Sequence, residues 1–168
     1  DNINELFCAT VVFLVPTIVN AMIKVKISPH NPAEAIERLS PEASKEPGEP
    51  FPGRRIQIHL DGFDDHKSGD VMRALDEDGG EFSLTLQLIA ENDPVTFEMK
   101  RSGARFYTGQ APNFGGDASL LIQQPDGSDI IRVAGSVGTS DGSTYQIITA
   151  PDGARFVDVK LPGEFLGD

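Results

Sequence analysis

The sequence predicts a mainly β protein: an antiparallel β-sandwich preceded by an N-terminal hydrophobic helix and a Pro-rich linker. Three observations lead there. Residues 6–23 carry no charge at all; residues 28–52 hold six of the twelve prolines; and from residue 54 apolar side chains recur at every second position, with turn signals about every ten residues. These features divide the 168-residue chain into an apolar segment (1–26), a linker (27–53) and a β domain (54–168).

The apolar segment comes first. As a helix, Leu6 to Ile23 reaches roughly 27 Å, close to the hydrocarbon thickness of a bilayer. It has no polar stripe, which a surface helix would show. Pro16 and Asn20 interrupt it, and membrane helices tolerate Pro better than soluble ones do. The expectation is therefore a membrane span, with Lys24 and Lys26 flanking it. The competing readings are a strand pair or buried helix of a soluble core, because Thr10-Val11-Val12-Phe13-Leu14-Val15 also suits a strand, and a signal-peptide h-region, against which the acids Asp1 and Glu5 stand where a basic stretch is wanted. Cys8, the only cysteine, excludes an internal disulfide.

In the linker, Asn31-Pro32-Ala33-Glu34 combines an N-cap, a first-turn Pro and a first-turn acid, which predicts a short helix over Pro32–Leu39 stopped by Pro41. The acidic, Pro-rich remainder reads as an extended spacer. In the β domain, Ile56/Ile58/Leu60, Phe82/Leu84/Leu86/Leu88 and Val95/Phe97/Met99 alternate with polar residues. Further strands are expected near 105–108, 118–124, 129–134, 143–149 and 155–161, forming a sandwich or barrel, with 70–75 a helical turn or edge strand. Pro125-Asp126-Gly127 and Pro151-Asp152-Gly153 repeat one turn chemistry, with Gly in the left-handed position. Gly103-Ala104-Arg105-Phe106 recurs as Gly153-Ala154-Arg155-Phe156, which reads as convergent hairpin chemistry rather than duplication.

The charge balance restricts function. Fourteen Lys and Arg against 26 Asp and Glu give a net charge of −12, which excludes a basic face for nucleic acid. Between residues 61 and 81, eight acids meet only Lys67 and Arg73. Asp61, Asp64, Asp65, Asp76 and Asp78 are the candidate calcium ligands there, although Asp76 to Phe82 lacks the bidentate Glu of an EF-hand. A solvated acidic loop is the plainer reading. His59 and His66, with Asp61, Asp64 or Asp65, form a candidate mixed metal site. No cofactor other than calcium is expected. Phe114-Gly115-Gly116-Asp117 has neither a following helix nor a Lys and does not cradle phosphate. Glu5, beside the apolar run, is the candidate proton-linked group, or else a helix N-terminal acid.

Two resemblances add to this. Asp117 to Gly127, with Leu161-Pro162-Gly163-Glu164-Phe165, resembles bacterial extracytoplasmic β-sandwich modules; Ser119 stands where they carry a second Asp. Asn2 to Cys8 and the apolar run are similar to the single-span B-type subunits of proton-driven motors of the stator and biopolymer-transport class. These have an Asp just inside the span, where this chain has Glu5 just outside it. The resemblances imply a single-span bacterial inner-membrane protein with a periplasmic or extracytoplasmic domain, a channel-subunit partner and self-association through the helix. The expected function is thus a membrane-anchored, non-catalytic binding module. The alternatives are a soluble calcium- or carbohydrate-binding sandwich and a hydrolase on the same scaffold.

Overall fold

The structure, a computed structural model, describes residues 23–39, 55–77, 79–88, 93–112 and 115–161. It is mainly β. In place of the two facing sheets of a sandwich, one sheet of nine strands closes on itself in the order β1-β2-β9-β8-β7-β6-β5-β4-β3. The strands are β1 (Ile23–Pro29), β2 (Arg55–Asp61), β3 (Phe82–Leu86), β4 (Val95–Gly103), β5 (Phe106–Ala111), β6 (Gly116–Gln123), β7 (Arg132–Gly138), β8 (Thr144–Thr149) and β9 (Arg155–Lys160). Among the described residues, two helices interrupt them: α1 (Pro32–Leu39) and α2 (Ser68–Glu77).

The strand that makes a barrel rather than a sandwich is β1. It pairs antiparallel with β2 and parallel with β3, bridging two edges that would otherwise stay open. Its sequence has the right alternation. Val25 and Ile27 are fully buried, while Lys24 and Lys26 face out. The lysines expected to flank a membrane span are therefore the outer face of a strand, and Ile23, the last residue of the apolar run, already belongs to the sheet. The barrel consequently includes residues ahead of position 54. The Pro-rich segment connects two neighbouring staves, β1 and β2, instead of holding a domain away from residue 26. Residues 6–22 lie outside the described residues. Among the described residues, no helix is long and apolar enough to cross a membrane.

Inside, each strand contributes alternate side chains to one packed core. Ile56, Leu60, Phe82, Leu84, Phe97, Met99, Tyr107, Leu120, Ile122 and Val157 are essentially inaccessible to solvent. Phe82 sits centrally, edge-on to Tyr107 with ring centroids 5.5 Å apart and 6.0 Å from Phe63. The barrel is thus filled by its own side chains.

One end is plugged by the β2–β3 connection. Helix α2 turns Val71, Met72 and Leu75 inward, the 3.6-residue spacing of an amphipathic helix. Arginines pin this plug at both sides. Arg101 bonds the Leu75 carbonyl and Asp76, and Arg105 also reaches Asp76, at 2.9 Å. Arg155 bonds Asp64 at 2.9 Å. The repeated Gly-Ala-Arg-Phe turns therefore place their arginines differently. Arg105 is left-handed, with φ of 59°, and half-exposed, whereas Arg155 is buried. That difference fits convergent hairpin chemistry. Gly127 and Gly153 both take the left-handed conformation that the Pro-Asp-Gly turns predict, with φ of 74° and 93°.

Candidate functional site

The plugged end of the barrel carries a cleft of about 370 Å³. It opens because β2 outruns β9. The last β2–β9 pair is Ile58 with Arg155, after which β2 continues alongside β1 alone. The gap is floored by Ile58, Phe63 and Ile131 and walled by the turns around Asp129 and Gly153.

All three histidines of the chain line this cleft, each delivered by a different segment. His59 points outward from β2, one position from buried Ile58. His30 follows β1 directly, and its backbone N–H donates to the Gln57 carbonyl at 2.8 Å. It therefore lies diagonally across the strand pair from His59. The imidazoles meet, with Nδ1 of His30 2.7 Å from Nε2 of His59 and ring centroids 4.5 Å apart. One ring donates and the other accepts. His66 comes from the turn leading into α2.

The inner wall is an ion pair. Arg155 is 5% exposed and bonds Asp64 through Nε and the Thr149 hydroxyl through Nη1, at 2.9 and 2.7 Å. Asp64 also accepts the Leu60 backbone N–H. The Thr149 hydroxyl bonds both the N–H and the carbonyl of Val133, standing in for the ladder beyond the last β7–β8 backbone pair. This network ties the plug to β9, β8 and β7.

The candidate calcium ligands are not gathered into one site. Asp64 is committed to Arg155. Asp65 accepts from the Gly62 N–H, Asp61 faces Ser28, and Asp76 takes the two arginines at the far side of the plug. Asp78 and Glu5 lie outside the described residues. Among the described residues, no group of three or more His, Cys, Asp or Glu is arranged to enclose a metal ion. Of the proposed mixed His/carboxylate set, His59, His66 and Asp64 share the cleft. His30 is the residue that sequence spacing misses, because strand register alone brings it to His59.

A smaller cleft, about 180 Å³, lies near the opposite end. Thr139, Ser140 and Asp141 line it, and they lie within Gly138-Thr139-Ser140-Asp141-Gly142, which has the Gly-x-Ser-x-Gly spacing of a nucleophile elbow. An elbow needs a strand-to-helix turn, and this segment is instead the hairpin between β7 and β8. Its acid is structural. Asp141 accepts the Thr139 hydroxyl at 2.5 Å and the Ser143 N–H at 2.8 Å, bonds that hold its carboxyl below the usual range. Burial, and then the Asp141 charge, push the Tyr145 phenol upward. A carboxyl with a depressed folded pKa stabilises above its unfolded pKa, and that contribution disappears as pH falls through the folded value. Asp141→Asn should therefore cost at most about 1 kcal/mol near neutrality, because the site is largely solvated. The difference from the parent should vanish in acid urea titrations; an equal difference at all pH values would refute the role.

Neither family models, nor curated proteins, nor solved structures gave a match to this chain.

Proposed function

We propose that this chain is a non-catalytic binding module, held at a bacterial inner membrane by residues 6–22 as a hydrophobic helix, with its barrel on the extracytoplasmic side. The histidine cleft is its ligand site. The carrying observation is that the barrel interior is filled while a polar cleft of about 370 Å³ stands open at the β2–β9 seam. A ligand therefore docks on the barrel end rather than inside it. Two carboxylates, Asp64 and Asp129, line the cleft with one guanidinium, Arg155, so a polar ligand that is neutral or cationic fits best. The two closest histidines bond each other, which favours holding a ligand over activating a nucleophile. The uncharged run at residues 6–22 and the resemblance to single-span motor subunits support the anchor and a channel-type partner; in that setting Glu5 is the proton-linked group.

Fractionation of the full chain tests the anchor. It should sediment with membranes, resist high salt and be released by detergent. Leu14→Arg, which places a charge at a cost of about 2.5–3.5 kcal/mol mid-span, should shift it toward the soluble fraction. A full chain that is monodisperse without detergent would overturn the anchor. For the cleft, melting shifts are measured against neutral monosaccharides, amino acids and polyamines. A shift from one class, lost in Asp129→Ala, is expected; shifts unchanged by that substitution would place the ligand elsewhere.

A further inference from the structure

We infer that His30 and His59 form a two-imidazole site for a borderline transition-metal dication, with copper(II) or nickel(II) geometry. The inference stands on the pair's own geometry and does not depend on the cleft's organic ligand or on the membrane anchor. Two imidazole nitrogens bound cis to one ion at about 2.0 Å lie about 2.8 Å apart in square-planar or octahedral geometry, against about 3.3 Å in a tetrahedron. The observed separation of 2.7 Å is that of the ring–ring hydrogen bond, and it already lies nearer the first spacing than the second. The backbone already holds this spacing. His59 lies within the β1–β2 ladder, opposite Ser28, and His30 is tied to Gln57 by its N–H. The two rings therefore start beside one another, and no strand has to move to bring them onto one ion.

Tautomer chemistry permits the exchange. With both rings neutral, one carries its hydrogen on the nitrogen facing the other ring. When an ion enters, that hydrogen moves to the ring's remaining nitrogen, and both facing lone pairs bind the metal without net proton release. The remaining positions stay open to water, because the described residues offer no third ligand arranged to enclose the ion. Such a site is labile and accessible, unlike a closed structural centre. The net charge of −12 raises the local concentration of cations around it. A hard cation such as calcium or magnesium prefers oxygen and is not retained by two imidazoles.

Copper(II) titration of the full chain, carried in a Cys8→Ser background to remove the thiol, is the test. One ion should bind with an electron paramagnetic resonance spectrum of two equatorial nitrogens, and calcium should not compete. Removing even an outer-shell partner of a metal ligand costs about 10–100-fold in affinity, so His30→Gln or His59→Gln should weaken binding at least about 100-fold. Both histidines are exposed, and an unchanged melting temperature in the Gln variants verifies that the fold is intact. His66→Gln should leave the two-nitrogen signal in place. Binding that survives in the His30→Gln/His59→Gln double variant, or a loss in His66→Gln equal to that in His59→Gln, would overturn the assignment.

Discussion

Asp64→Ala should destabilise the barrel by about 3–5 kcal/mol, the cost of leaving a buried charge without its partner. Arg155 is 5% exposed, and Asp64 is its carboxylate partner in the network that joins the plug to three strands. The substitution also removes the acceptor of the Leu60 N–H, so the plug loses its hold at the cleft side. Urea unfolding measures the effect. The informative comparison is Asp64→Leu combined with Arg155→Met, which removes both charges and should recover most of the loss. If Asp64→Ala alone costs under about 1 kcal/mol, Arg155 is satisfied some other way and the account of the plug fails.

Gly135→Ala should cost at least about 3 kcal/mol, the upper end for overpacking, and is expected to abolish the cooperative melt. Gly135 lies on β7 opposite Leu120 of β6. A methyl group there would stand 2.0 Å from the Ser119 carbonyl oxygen and 2.9 Å from the Leu120 Cα. Those are backbone atoms of the neighbouring strand, so no rotamer change relieves the overlap. Gly109 of β5 approaches β4 in the same way, with the Glu98 carbonyl oxygen at 2.3 Å. The two glycines flank β6 and let large residues such as Tyr107 and Leu120 occupy the interior between close-set staves. A cooperative Gly135→Ala protein with parental stability would show that β6 and β7 can separate without penalty.

Much of the strand pattern was legible. Period-two alternation located β2, β3 and β4, turn spacing placed the later strands less exactly (129–134 was expected where β7 runs Arg132–Gly138), and Asn31-Pro32 with Glu34 located α1, because these signals are local. The exception is β1. Ile23, Val25 and Ile27 alternate with Lys24 and Lys26 as cleanly as any strand. The preceding uncharged run shares their hydrophobicity, however, and a lysine beside an apolar segment suits a membrane border equally well. The closed barrel was hidden with it, since closure depends on a parallel pairing between segments almost 60 residues apart, such as Ile23 with Phe82. The same non-locality obscured the site. His59 and His66 were visible as a pair by spacing, whereas His30 joins His59 only through β1–β2 register. The acidic stretch misled in the opposite sense. Asp64, Asp65 and Asp76 lie close in sequence yet face different partners, because a turn and a helix direct them to different sides of the plug.

The position of β1 has a mechanical consequence. It is bonded along both edges, to β2 and to β3. A pull along its strand axis would act across two ladders at once, the perpendicular hydrogen bonds to antiparallel β2 and the slanted ones to parallel β3. Both ladders would then bear such a load in shear and together rather than unzip bond by bond, so the stave that closes the barrel also yields only when both of its seams give way.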